Sequence, residues 1–222
     1  MNILVTGSNG FIGNSLIKAL LKNKRYKIFA TYNKKKPNIK TGNINFLKID
    51  LIKDKLEKKI KSKIDLIYHF ANFDTYNLGQ NKSQILLSNN SIHQNVIHFS
   101  KKFKSRLIFL SSSEVSKKIN KTIMKETDSV IFQSYAQDKL PYRLSKFLGE
   151  FLLYDLNIKD YLILRLNNVY GPGMKKGQVI RDLIEKIKKN PKKIIVNNGE
   201  CKRNFIYIDD LILILIRFIK IK

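Results

Sequence analysis

The chain has 222 residues, 43% of them hydrophobic, and a formal charge of +26 from 43 Lys and Arg against 17 Asp and Glu. That size and apolar content suit one large α/β domain, or a domain and part of another, and exclude a disordered tail. The lysines are scattered without an aromatic-interleaved stripe, so the charge names no specific nucleic-acid partner and suits an anionic substrate instead.

The first strand is Asn2 to Val5 (NILV), and Thr6 to Gly13 follow with Gly7, Gly10 and Gly13 spaced GxxGxxG. Glycine at those places allows a tight turn, close approach of a phosphate, and hard packing of the next helix on the sheet. The helix carrying Ile12, Leu16, Ile17, Leu20 and Leu21 would aim its N-terminal N–H groups at a pyrophosphate. Tyr26 to Tyr32 reads as the second strand. Its end, where a carboxylate would accept from the adenosine ribose of NAD, holds Tyr32, Asn33, Lys34, Lys35 and Lys36. A 2′-phosphate would be welcome among lysines, so NADP is the expected cofactor, with NAD the alternative.

Asn45 to Ile49 is the third strand, ending at Asp50-Leu51, and Lys53 to Ile60 a short polar helix. Ile64 to Phe70 has the continuous apolar run of a buried parallel strand. Ser83 to Phe103 is a long helix, Leu107 to Leu110 a strand closed by Ser111-Ser112-Ser113, and 116–135 a polar loop. Leu140 to Leu156 is helical, Tyr161 to Leu166 a sixth strand, and Gly171-Pro172-Gly173 a breaker. Gln178 to Lys189 is helical, Ile194 to Val196 strand-like, and Asp209 opens an apolar run. This alternation predicts a doubly wound parallel sheet of Rossmann type. The predicted boundaries are a dinucleotide-binding domain over 1–170, a partial substrate lobe over 171–208, and a C-terminal helix over 209–222 that packs back on the core.

Single Cys201 excludes an intrachain disulfide and a cysteine-cluster metal site, and no metal is expected. The early first strand leaves no room for a signal peptide, and Leu211 to Ile216 is too short to cross a bilayer. A cytoplasmic protein is expected, with a membrane-touching C-terminal helix as the minor alternative.

Tyr142 and Lys146, four apart in PYRLSK, share one helix face, and Ser112 ends a neighbouring strand. A tyrosine exchanges a proton with a carbonyl or hydroxyl only when its phenolate is favoured, and a nearby ammonium does that. A serine hydroxyl beside it would hold the reacting oxygen.

With these motifs in order, the chain resembles an extended short-chain dehydrogenase/reductase, in the branch of nucleotide-sugar epimerases, dehydratases and 4-keto reductases. TGSNGFIG is similar to the family's TGxxGFIG, which implies cofactor contacts for Gly7, Asn9, Gly10, Phe11, Ile12 and Gly13. Asp50 and Leu51 match the adenine-contacting pair, and His69-Phe70-Ala71 the HxA stretch, so Phe70 and Ala71 line the cofactor. Asn89 and Asn95 resemble the helix asparagines of NxxGTxN, Asn89 with a cofactor role. Asn33, Lys34 and Lys35 complete the expected cofactor set. LSSSEV places the catalytic hydroxyl at Ser112, with Ser113 and Glu114 toward substrate, and PYRLSK supplies Tyr142 as acid/base and Lys146 as its partner and cofactor contact. RLNNVYGPG and RNFIYIDD add Asn168 and Arg203 as substrate contacts.

Departures limit the reaction. Dehydratases of this branch carry Asp-Glu where this chain has Ser113-Glu114, which argues against dehydration. Members also run on further after the second motif, whereas this chain continues twelve residues beyond Asp210, so a small, apparently truncated substrate lobe is expected. The resemblance implies NADPH-dependent reduction of a nucleoside-diphosphate 4-keto-6-deoxy sugar, with a 4-epimerase or a non-catalytic NAD(P)-binding protein as alternatives. It also implies a homodimer through Ser83 to Phe103 and Leu140 to Leu156. Phe99, Phe103, Phe147, Phe151 and Tyr154 would then face either the partner or the sheet.

Overall fold

The computed structural model describes residues 1–39, 42–73, 81–116, 125–132, 139–196, 199–200 and 202–221. Cys201 and much of the predicted 116–135 loop lie outside them. The chain divides into two units, Met1–Leu166 and Asn167–Lys222.

In the first unit, β1 (Asn2–Thr6), β2 (Lys27–Tyr32), β3 (Ile44–Lys48), β4 (Leu66–His69), β5 (Arg106–Ser112) and β6 (Tyr161–Leu166) form one six-stranded sheet in the order β3-β2-β1-β4-β5-β6. Every pairing is parallel. The order reverses between β1 and β4, and in such sheets ligands bind beyond the carboxyl ends of the strands at that switch. The apolar runs of β4 and β5 are buried because helices cover both faces. Those helices are α1 (Phe11–Leu20), the short α2 (Leu56–Lys59), α3 (Lys82–Phe103) and α4 (Leu140–Asp155). The Asn81 side chain caps α3 by accepting from Ser83 N, and Lys104 ends that helix in the left-handed conformation at φ 51°.

Leu4, Phe29, Ile67, Val96, Phe99, Leu107, Phe109 and Leu153 belong to one core cluster. Each such side chain stabilises the fold by about 1.5–3 kcal/mol when fully buried. The third-strand register pairs Tyr32 with Lys48, which brings the strand ends carrying Asn33 and Asp50 to one edge of the switch.

The helix expected over Lys53 to Ile60 is shorter. Asp50 to Asp54 instead forms a turn in which Asp50 N donates to Asp54 Oδ2 at 2.9 Å, and α2 begins only at Leu56.

The second unit holds β7 (Asn168–Tyr170), α5 (Val179–Lys189), β8 (Phe205–Tyr207) and α6 (Ile208–Arg217). β7 and β8 pair in parallel as a two-stranded sheet. Three-residue strands carry too little periodicity to be read from sequence. Ile194 to Val196, expected to be strand-like, has no regular structure and is exposed. The apolar run after Asp209 is helical, with Leu211, Ile212 and Leu215 buried in α6 and Leu213 exposed.

Candidate active site

β1 ends in the glycine turn. Gly7 has φ +69°, and a Cβ there would stand 2.8 Å from the backbone nitrogen of Ala71. A Cβ on Gly13 would overlap the carbonyl oxygen of Gly7, so α1 rests directly on the turn. Gly10 is the N-cap of α1, in extended conformation, with no side chain capping the helix. The first backbone N–H groups of α1, from Phe11, Ile12 and Gly13, have no acceptor within the helix and could hold an anion. Ser8 anchors the turn to the end of β2, its hydroxyl donating to Thr31 O at 2.7 Å.

Beside the turn lies a cleft of about 180 Å³, lined among others by Gly7, Thr31, Tyr32, Asn33, Asp50, Leu51, Ala71 and Phe73. The structure therefore brings Gly7, Asn33, Asp50, Leu51 and Ala71 together. Asn9, Gly10, Phe11, Ile12 and Gly13 form the turn and helix start. Phe70 precedes Ala71, and the N–H groups of both donate to Thr6 Oγ1, at 3.1 and 3.2 Å. Asp50 Oδ1 accepts from Ile52 N at 3.1 Å.

The two helix asparagines shape the walls. Asn89 is fully enclosed. Its Oδ1 accepts from Phe73 N at 2.7 Å, while its Nδ2 donates to Phe73 O and to Ser145 Oγ. Asn95 Oδ1 accepts from Leu56 N, and its Nδ2 donates to Leu51 O, which fixes the turn bearing Asp50.

The chemical groups sit on β5 and α4. Ser112 closes β5, and its hydroxyl accepts from Glu114 N at 3.2 Å across a single 3₁₀ turn, Ser113–Ser116. Tyr142 lies in the first turn of α4, half-buried. One turn on, Lys146 is buried, its ammonium 5.8 Å from the Tyr142 ring centroid and 5.3 Å from that of Phe109. Lys146 Nζ donates to Leu110 O at 2.7 Å. Burial pulls its pKa down to about 7, against an opposing pull from Glu150. An amine this sensitive to its surroundings is the kind found at working sites.

Glu114 is engaged by Lys139, whose Nζ is 3.2 Å from Oε1, and its carbonyl accepts from Arg143 Nε at 2.7 Å. Ser113 is half-buried. Asn168 and Arg203 belong to the second unit. There Asn168 Nδ2 donates to Asn204 O at 3.3 Å, and Arg203 is exposed.

Sequence reasoning missed three sets of residues. Thr6 and Ser8 tie the glycine turn down. Glu150, 7% exposed, receives two N–H donors from Arg165, Nε at 3.0 Å to Oε1 and Nη2 at 2.6 Å to Oε2, and also accepts from Ser111. Arg165 Nη1 reaches Ser116 Oγ at 2.7 Å, so the strand end carrying Ser112 is braced from α4 and β6. His69 and His93 are hydrogen-bonded to each other inside the first unit. His98 is exposed, its Nδ1 2.7 Å from Gln94 O. Among the described residues, no group of three or more His, Cys, Asp or Glu is placed to hold a metal ion. No described helix is long and apolar enough to cross a membrane.

A Rossmann-type sheet with this glycine turn, and a buried lysine beside a tyrosine over the carboxyl end of β5, defines a dinucleotide-dependent enzyme of the extended short-chain dehydrogenase/reductase type. The model of the NAD dependent epimerase/dehydratase family matches residues 3–221. The chain belongs to that family.

It is 31% identical over 226 residues to a putative UDP-glucose 4-epimerase of Methanocaldococcus jannaschii, covering 94% of this chain and 70% of that protein. It is 29% identical to a dTDP-D-glucose 4,6-dehydratase of Dictyostelium discoideum, covering 95% of this chain but 53% of that protein. The fold superposes on UDP-glucuronic acid 4-epimerase from Bacillus cereus, in complex with UDP-glucuronic acid and NAD, with a TM-score of 0.83 at 28% identity, covering 100% of this chain and 74% of that one. The chain thus spans between about half and three quarters of the length of these relatives.

The NADP preference expected from Asn33 to Lys36 is overturned. The Bacillus cereus enzyme is held with NAD, both with and without its sugar nucleotide. The lysines themselves explain the misreading. Lys34 and Lys35 are exposed and do not line the cleft, while the Lys36 ammonium lies 4.9 Å from the ring centroid of Phe46.

Proposed function

We propose that the chain is an NAD-dependent 4-epimerase of a nucleoside-diphosphate sugar. The observation that carries this reading is the Tyr142–Lys146 pair, with the lysine desolvated and fixed by Leu110 O. The glycine turn that side chains would fill, the uncapped start of α1 and the cleft containing Asp50 fit a dinucleotide. Gly7, Gly10 to Gly13, Asp50, Leu51 and Ala71 would hold it.

Bound NAD supplies a hydride acceptor that becomes a donor in the return step. The residues of this chain do the rest. Tyr142, as phenolate, takes the proton from the sugar 4-hydroxyl and gives it back to the same oxygen after the sugar has presented its other face. Lys146 favours that phenolate by its charge. Ser112 donates to the reacting oxygen and holds it in line. Epimerisation returns both hydride and proton, so it demands a base that is restored within each turnover. Dehydration demands a further acid, and the carboxylate next to Ser113, that of Glu114, is paired with Lys139. Asn168 and Arg203 are proposed substrate contacts, Arg203 for the diphosphate.

A homodimer through α3 and α4 is part of this proposal. Leu87 (60% exposed), Phe151 (49%) and Tyr154 (78%) leave apolar surface on those helices, whereas Phe99 is buried in the core.

The test is to incubate the chain with NAD and a panel of UDP- and dTDP-sugars and follow products by NMR. The expected result is a 4-epimer with no accumulation of reduced nicotinamide. Loss of water or carbon dioxide, or one reduced cofactor per product, overturns the reading.

A further inference from the structure

A buried chain of hydrogen bonds runs from the glycine turn into the packing of α4. Thr6 Oγ1 accepts from the N–H groups of Phe70 and Ala71, which occupy its lone pairs. Its own proton must therefore go to His69 Nδ1, 2.8 Å away. His69 then carries its proton on Nε2, which donates to His93 Nδ1 at 2.9 Å. By the same logic His93 carries its proton on Nε2, an enclosed atom with no hydrogen-bond partner among the described residues.

The direction of the chain fixes both tautomers, and protonating either ring would set donor against donor. Thr6, His69 and His93 are each 1% exposed or less. Burial, followed by the charge of Lys146, holds His69 well below the ordinary histidine range, and burial, His69 and Lys146 do the same for His93. The charged groups bearing on the pair come from α4. The charge of Lys146 acts on both rings, and Glu150 is tied to Arg165 and Ser111.

The chain ends on the helix that carries the chemistry. The His93 ring stacks edge-on to Phe109 at 5.1 Å, and Lys146 lies over the same phenylalanine. A Cβ on Gly149 would overlap Phe109 and come within 3.2 Å of His93 Cδ2, so the backbone of α4 rests on this histidine three residues after Lys146. The start of the chain, Thr6, adjoins Gly7. His93 is thus a spacer of defined hydrogen-bond polarity between the dinucleotide turn and the catalytic helix.

We propose that His93, acting through His69, is a positioning residue that sets the Tyr142–Lys146 pair against the glycine turn. The proposal rests on the functional reading given above, but two of its tests do not need turnover. Nitrogen-15 NMR of the intact chain is expected to show both rings neutral, with the proton on Nε2, from pH 8 down to pH 5. The Lys146 amine titration is expected to move in His93→Leu and to hold in His93→Asn, which keeps an acceptor near the Nδ1 position.

In turnover at saturating NAD, His93→Leu is expected to lower kcat about tenfold with KM for the sugar nucleotide unchanged, since small displacements of reacting groups act on the transition state. His93→Asn is expected to recover most of that loss. A protonated ring or Nδ1–H tautomer at neutral pH, an unmoved Lys146 titration in His93→Leu, or kcat losses that only track the folded fraction would each overturn the proposal. A wild-type chain that turns over no nucleotide sugar would sink the functional reading alone, and the two NMR tests would still decide the relay.

Discussion

Lys146, the proposed partner of Tyr142, is held buried at the expense of stability. Its pKa is lowered to about 7 by burial, so between there and its ordinary value near 10.5 the unfolded chain binds a proton that the folded chain does not. Stability contributed by this group therefore rises with pH through that window, and the desolvation cost is fully present below it. Lys146→Met is expected to abolish turnover and yet to raise Tm relative to wild type at pH 6, with the difference shrinking toward pH 10. Thermal scans at several pH values check this. Gly7→Ala meets both a positive φ and the Ala71 backbone, and is expected to cost about 1–3 kcal/mol in urea unfolding and to weaken NAD binding. These positions were legible in the sequence because their spacing is local. His93 was not, because its partner stands 24 residues away and a lone histidine on a helix gives no sign of what it faces. The lysines after Tyr32 misled for the opposite reason: their charge was visible, but their exposure and the Lys36–Phe46 contact were not.

Among the elements, the strands and helices of the first unit were readable from apolar runs and 3.6-residue periodicity. β7 and β8 escaped because each spans three residues and their parallel register pairs residues far apart in the chain, Asn168 with Phe205. The brace between α4 and β6 also escaped, since it joins Glu150 and Arg165 from separate elements. It predicts a measurable cost. Glu150→Ala removes the acceptor that Arg165 and Ser111 share, and is expected to destabilise by about 3 kcal/mol, the low end for a broken buried pair. Chemical unfolding should show that Arg165→Met in the same chain recovers part of the loss. Full additivity of the two substitutions would mean that the pair does not act as a unit.

For the molecule as a whole, the doubly wound sheet follows from the alternation of strands and helices, and the family from its ordered motifs. The reaction was less legible because the sequence shows the type of each residue and not what it is paired with. Glu114 paired to Lys139 is one such case. Assembly belongs to this scale too. If α3 and α4 form the dimer contact, Phe151→Glu with Tyr154→Glu is expected to convert a dimer to a monomer in light scattering. An unchanged mass would place the contact elsewhere or remove it. The central claim is that Tyr142 and Lys146 serve a hydride that leaves the sugar and comes back. The most direct measurement follows a sugar nucleotide carrying deuterium at C4 through turnover with NAD. The account predicts a 4-epimer that keeps its deuterium, with no net reduced cofactor and no product from Tyr142→Phe. Loss of the label to solvent, or reduced cofactor accumulating in step with product, would contradict it.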